Sequence, residues 1–373
     1  MKLKGQLLLL FSTLFSGVVF SQVANTGMVD VYDTISKGKV SIGGFVDVYY
    51  GYDFNRPAQS DRPYAVSSGR HNEVNINLAY IDLRYINDKV RAHLVSGFGT
   101  YVNANYSLEP GSLKNLIEAN VGIRLSKKKD IWVDAGVLPS PYTNESAISK
   151  DHFMYTRSFA PEFVPYYLSG VKLSVPFGKK IKAYGYLLNG WQSIQDVNNP
   201  LSMGTQIEYR PGNKWLINWD TYVGDENSKS FPLYGTRYFS DVYTIFNPNG
   251  KVSMTACVYA GVQEIRDTFG QTFNRAWWQA NVQGKVKLGK QISLAARAEI
   301  FEDDYSAMIK SVTGTKGFST MSAGLCLNVN VSDAALFRVE ARQFFSDKNV
   351  YFDKKGVPVN QSLLLITSLA AWF

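Results

Sequence analysis

The stretch QISLAARAEIF, residues Gln291–Phe301, sets the reading of this chain. Ile292, Leu294, Ala296, Ala298 and Ile300 share one parity, and Ser293, Ala295, Arg297 and Glu299 share the other. A period of two places the two sets on opposite faces of a β-strand. The preceding segment, Ala276–Leu288, repeats the pattern: Trp278, Ala280, Val282, Gly284, Val286 and Leu288 oppose Gln279, Asn281, Gln283, Lys285 and Lys287. Gly289-Lys290 between the two has turn chemistry. Further along, Phe337, Val339 and Ala341 oppose Arg338, Glu340 and Arg342.

Working outward, the same reading predicts sixteen strands. They are Gly43–Phe54, Glu73–Ile86, Val90–Asn105, Leu116–Leu125, Ile131–Leu138, Tyr166–Val175, Ile181–Trp191 and Met203–Tyr209, then Trp215–Gly224, Arg237–Phe246, Lys251–Ile265, Ala276–Leu288, Gln291–Phe301, Phe318–Val329, Ala335–Phe345 and Ser362–Phe373. The apolar parity of Glu73–Ile86 slips near Ala79-Tyr80, which predicts a β-bulge there. Every second connection is tight, as at Asn87-Asp88-Lys89 and Asn247-Pro248-Asn249-Gly250. The alternate connections are long and polar, and Pro139–Pro165 is the longest. Short turns on one rim and long loops on the other describe an outer-membrane barrel. With sixteen strands, both chain ends fall on the short-turn side.

Composition agrees. Lys2 and Lys4, the apolar Leu7–Phe20 and the small residues from Gly17 to Ser21 form an export signal, with Gln22 as first mature residue. The expected division is a signal peptide over 1–21, a short periplasmic segment over 22–42 and a barrel over 43–373. No later apolar run approaches the ~18–20 residues of a spanning helix. The other structure that satisfies all backbone groups in lipid is a closed barrel. A soluble β-sandwich would also be strand-rich, but it would not alternate short and long connections throughout. The formal charge of +8 falls to +6 without Lys2 and Lys4, and the basic residues are scattered apart from Lys127–Lys129. That pattern excludes a nucleic-acid stripe. Cys257 and Cys326 fall on strands that are not neighbours, so they read as small apolar residues rather than as a bridge.

The aromatic content is high, with 23 Tyr, 22 Phe and 7 Trp. Tyr49, Tyr50, Trp132, Trp191, Trp215, Trp277, Trp278, Trp372 and Phe373 fall near strand ends and are expected in interfacial girdles. Phe373 closes a strand with Leu363, Leu365, Leu369 and Ala371 on one face. By analogy, that ending addresses the barrel to its assembly machinery and to outer-membrane lipid.

The chain resembles the OmpL-like β-barrel porins of Gram-negative bacteria. The resemblance is carried by Gly43-Gly44-Phe45-Val46-Asp47-Val48-Tyr49, by Gly136-Val137-Leu138-Pro139-Ser140 with Asn144-Glu145, by Pro165-Tyr166, by Asn247-Pro248-Asn249-Gly250-Lys251 and by Trp372-Phe373. It implies a barrel and a diffusion channel and names no solute and no binding residue.

Parity supplies the candidate site. The inward, pore-lining set is Glu208, Arg210, Asn218, Asp220, Gln279, Asn281, Gln283, Arg297, Glu299, Arg338, Glu340 and Arg342. Acid and base are mixed with a slight positive excess, so at most a weak anion preference is expected. The alternative is that these groups brace the wall through cross-strand pairs. The Pro139–Pro165 loop carries Glu145, Lys150, Asp151, Arg157 and Glu162 with Tyr142, Phe153, Tyr155 and Phe159. It is expected to fold into the barrel and narrow it, with a surface lid as the alternative. No G-x-S-x-G or H-E-x-x-H occurs, and His71, His93 and His152 are too scattered for a metal site. Glu302-Asp303-Asp304 lacks calcium-loop spacing. No enzyme, cofactor or metal is expected. Passive diffusion of small hydrophilic solutes is the favoured function, with a possible homo-oligomer. A closed structural or partner-binding barrel is the second reading. A barrel phospholipase using His93 is the third.

Overall fold

The structure, a computed structural model, describes residues 37–373 apart from 58, 59 and 268. The expected signal peptide and residues 22–36 lie outside the described residues. Sixteen antiparallel strands close into one barrel. They are β1 (Val40–Asp53), β2 (Val74–Ile86), β3 (Val90–Phe98), β4 (Leu116–Arg124), β5 (Trp132–Pro139), β6 (Tyr167–Phe177), β7 (Ile181–Leu188) and β8 (Ser202–Tyr209), then β9 (Trp215–Asp225), β10 (Tyr234–Phe246), β11 (Val252–Arg266), β12 (Thr272–Lys287), β13 (Ile292–Asp303), β14 (Phe318–Ser332), β15 (Ala335–Ser346) and β18 (Gln361–Trp372). A small hairpin, β16 (Tyr351–Phe352) with β17 (Pro358–Val359), lies in the last long loop.

The barrel closes where β1 pairs β18, from Phe45 opposite Trp372 to Asp53 opposite Leu364. Beyond that ladder, Gly44 and Phe373 exchange both backbone hydrogen bonds, at 3.2 and 3.1 Å. Closure removes strand edges, the condition for a sheet in lipid. Side chains follow the parity of the sequence. On β13, Ala295, Arg297, Glu299 and Phe301 are buried, whereas Ile292, Leu294, Ala296 and Ala298 are exposed. The exposed parity of β18 holds Leu363, Leu365 and Leu369. The barrel thus wears its apolar residues outside and buries charge inside, the reverse of a soluble sandwich.

Five expectations need correction. The irregularity in β2 lies two residues earlier than expected: Asp47 faces Leu78 and Val48 faces Ile76, so Asn77 is the extra residue. There its side chain donates to Asp47 Oδ2 at 2.9 Å and accepts from the Ser68 N–H at 2.8 Å. The third strand stops at Phe98. Gly99 has φ 129°, a Cβ there would strike the Asn77 carbonyl, and Thr100–Asn105 coils into a helical turn with Tyr101 and Val102 buried. The seventh strand ends at Leu188, and Gly190 at φ 146° turns the chain inward. The β11–β12 connection is only 267–271, because β12 begins at Thr272, ahead of the expected Ala276, and β11 ends one residue later than expected. The aromatic girdle is also thinner than expected. Tyr50, Trp215 and Trp278 are exposed, but Tyr49, Trp132, Trp191 and Trp277 are buried inside. Arg237 lies over the rings of Trp191 and Trp277, at 4.9 and 5.8 Å, which gives these tryptophans a cationic partner within the barrel.

Candidate functional site

The segment between β5 and β6, residues 140–166, runs inside the barrel. The wall supplies acceptors and donors along its whole course. The Thr143 N–H donates to Asp241 at 2.9 Å. The Asn144 side chain donates to Thr255 and Asn281, both at 2.9 Å. The Ser149 hydroxyl donates to Asp47 at 2.9 Å. Asn328 donates to the Phe153 carbonyl at 3.1 Å. Glu340 accepts the Tyr155 and Thr156 N–H groups at 2.7 and 2.9 Å, and Glu299 accepts the Phe159 N–H at 2.6 Å. An irregular segment inside a barrel can be stable only if such partners replace water.

Charges on β13 and β15 lock this arrangement. Arg297 Nε lies 2.9 Å from Glu299, and its terminal nitrogens donate to the Thr156 carbonyl and hydroxyl at 2.6 and 2.8 Å. Arg342 pairs with Glu299 at 2.6 Å and donates to the Arg157 carbonyl at 3.0 Å. Arg338 donates to the carbonyls of Ser149 at 2.5 Å and His152 at 3.1 Å. Above them Phe159 packs among Phe301, Phe318 and Phe344, with ring centroids 6.0–6.1 Å apart. Tyr64, from the loop after β1, closes this cluster over Phe318 at 4.6 Å.

The parity-assigned residues therefore divide. Arg297, Glu299, Arg338, Glu340 and Arg342 face inward and are buried under the 140–166 segment. Gln279 donates to the Cys257 carbonyl at 3.4 Å, and Asn281 holds Asn144. Asn218 and Asp220 are buried on β9, with Asn218 accepting from Gln206 at 3.0 Å. Glu208, Arg210 and Gln283 line an open cavity. Among the loop residues, Glu145 accepts the Ser158 N–H at 2.8 Å. Arg157 pairs with Glu162 at 3.4 Å and lies 4.1 Å over the Tyr166 ring. Glu162 also accepts the Val66 N–H at 2.6 Å. Lys150 and Asp151 stand 3.8 Å apart near the far tip.

The cavity occupies about 440 Å³ along the β3–β8 wall. Arg91, His93, Glu118, Lys172, Lys182 and Tyr184 line it and were not among the assigned residues. The signal was present in the sequence: Lys172 with Ser174, and Lys182 with Tyr184 and Tyr186, alternate with apolar neighbours on β6 and β7. Within this wall Arg91 grips Asp134 through two nitrogens, each at 2.6 Å. His93 is held between carboxylates, Nε2 at 2.9 Å from Asp82 and Nδ1 at 2.7 Å from Glu118. Both ring nitrogens are thus engaged by acids, an arrangement unlike a histidine poised to take a serine proton.

Two loop groups have displaced titrations. Burial drives His152 well below the usual histidine range, and Arg157 and Arg338 add to the shift. Its Nε2 donates to the Ser146 carbonyl at 2.7 Å. Burial raises the Glu162 carboxyl, and Arg157 opposes the rise. Elsewhere, Asp303 accepts the N–H groups of Ala307, Met308 and Ile309 at 2.7–2.8 Å, a loop-bracing role. Cys257 and Cys326 are both free and buried. Among the described residues no cluster of His, Cys, Asp and Glu fits a metal ion.

Comparison with known proteins converges on this architecture. The outer membrane channel DcaP of Acinetobacter baumannii superposes with a TM-score of 0.59 at 13% identity, over 90% of this chain and 99% of that one. An anion-selective porin from Comamonas acidovorans gives 0.57 at 10% identity, over 90% and 99%. OmpF of Salmonella typhi, in complex with daunomycin, gives 0.58 at 11% identity, over 90% and 98%. At such identities the likeness is one of fold. No curated protein matches the chain. The family described as beta-barrel porin-2, OmpL-like, matches residues 39–373. The chain belongs to that family and is a porin of the outer membrane.

Proposed function

We propose that small hydrophilic solutes cross this porin by passive diffusion along the β3–β8 wall, past the 140–166 segment, which narrows the barrel from the opposite side. The cavity of about 440 Å³ beside that segment carries the reading. A sixteen-stranded barrel has room for an aqueous channel. Here the loop takes up the β10–β15 half, through contacts to Asp241, Glu299 and Glu340. The pore-lining role then falls to Glu208, Arg210 and Gln283 with Lys172, Lys182 and Tyr184. Asn218, Asp220, Gln279, Asn281, Arg297, Glu299, Arg338, Glu340 and Arg342 brace the wall and the loop instead. Outward leucines on β18 support insertion in lipid and delivery through the C-terminal strand, and a homo-oligomer completes the reading.

Thiol blocking tests the route. Wild-type protein in a planar bilayer is exposed to a bulky charged methanethiosulfonate. Its conductance is expected to hold, because Cys257 and Cys326 are buried. Lys182→Cys is expected to lose most of its conductance within the labelling time. Full conductance in a fully labelled Lys182→Cys channel would show that solutes travel elsewhere.

A further inference from the structure

The 140–166 segment reaches far toward the short-turn rim, and a second chamber lies beyond its tip. This chamber occupies about 100 Å³, room enough for a phosphate-sized ion. Five cations line it: Lys150 from the tip, Lys285 and Lys287 from β12, Lys290 from the following turn and Arg338 from β15. No carboxylate is among its described lining residues.

Among the described residues, the partners of Lys285, Lys287 and Arg338 leave their charge largely in place. Lys285 rests its ammonium 4.5 Å over the Phe153 ring, and Arg338 and Lys287 both act on it as like charges. Lys287 donates to the Asn249 carbonyl at 2.7 Å, a neutral partner. Arg338 gives its terminal nitrogens to loop carbonyls and leaves Nε buried without a hydrogen-bond partner in the described structure. Among the described residues, two carboxylates face the group from packed elements. Asp151 stands 3.8 Å from Lys150 but lines the larger cavity, and Asp47 acts on Arg338 while accepting from Ser149 and Asn77. Glu340, next inward on β15, is committed to the loop and Arg297. Setting the Lys150–Asp151 pair aside, Lys285, Lys287, Lys290 and Arg338 against Asp47 leave an excess of three among the described residues. Inside a low-dielectric wall that excess favours an anion. Asn328, Asn330 and Ser293 add hydrogen-bonding groups suited to oxygen ligands.

We infer that this chamber binds a small oxyanion, of the size and charge of inorganic phosphate or a short carboxylate, at the short-turn mouth of the barrel. The inward ladder of β12 links the two compartments: Gln283 lines the larger, and Lys285 and Lys287 line the smaller. An anion leaving the first would meet the second. The binding claim stands without the porin reading, whereas its part in permeation rests on it.

Calorimetry with sodium phosphate on the folded full-length barrel in detergent is the test. Wild-type protein is expected to give saturable heat that excess chloride displaces only weakly. Lys285→Gln/Lys287→Gln is expected to bind about tenfold or more weaker. Lys354→Gln, at an exposed position of the last long loop, is expected to match wild type. If the double variant fails to fold, Lys287→Gln/Lys290→Gln, at two exposed positions, serves in its place with a loss of about threefold or more. No saturable heat in wild type, or equal affinity in the folded variants, would overturn the site. Phosphate binding by a barrel without conductance would overturn the porin reading and leave the site. Conductance without phosphate binding would do the opposite.

Discussion

Glu340 joins wall to loop: its carboxylate accepts two loop N–H groups and faces Arg297 at 3.5 Å. Truncating one member of a buried ionic group strands the remaining charge, at a cost of about 3–5 kcal/mol. Glu340→Ala is therefore expected to lower the unfolding free energy read from urea titration by that much, while β-sheet circular dichroism stays the same in zero urea. His152 gives a pH signature. Its folded pKa lies below the unfolded value of about 6.5, so the unfolded chain binds the proton more readily. The contribution is complete above about pH 6.5 and is lost as pH falls toward the folded pKa. Stability should drop between pH 7.5 and 5, and His152→Gln should reduce that slope, as read by urea midpoints at the two pH values. Parity placed Arg297, Glu299 and Glu340 inward, but period-two patterning reports only which face a side chain leaves from. It cannot say whether water or a loop meets that side chain.

The strands were the most legible elements, because each carries its own alternation and its own turn residues. Thr100–Asn105 was misread as strand for a physical reason. Its Val102 and Ala104 alternate with Asn103 and Asn105 and mimic period two, and Gly99 with φ 129° breaks the run. The 140–166 loop was legible as a length and a composition, but its path depends on partners scattered over eight wall strands, from Asp47 to Glu340. Its role can be tested as an element. Removing Ser146–Ser158 deletes the groups that meet Asp47 and Glu340 but leaves β5 and β6 intact. The shortened barrel is expected to conduct at least about twofold more current per channel and to show noisier open states, given the lumen expected of sixteen strands. Unchanged unit conductance in a heat-modifiable, folded variant would contradict a narrowing role.

At the scale of the whole molecule, the barrel contains two unlike compartments separated by one inward loop. The larger mixes Arg91, Lys172 and Lys182 with Glu118 and Glu208, and the smaller is basic throughout its charged lining. The net charge gave no sign of this division, since a modest excess over the whole chain is silent about where the charges gather. Neither did the aromatic count, because four of the expected girdle rings turned out to pack inside. The central claim is that the half of the barrel left by the loop is an open aqueous path. Planar-bilayer recording of the purified, folded wild-type protein tests it most directly. The account predicts discrete, ohmic single-channel steps in potassium chloride. Silence from protein whose folding is shown by heat-modifiable migration would contradict it.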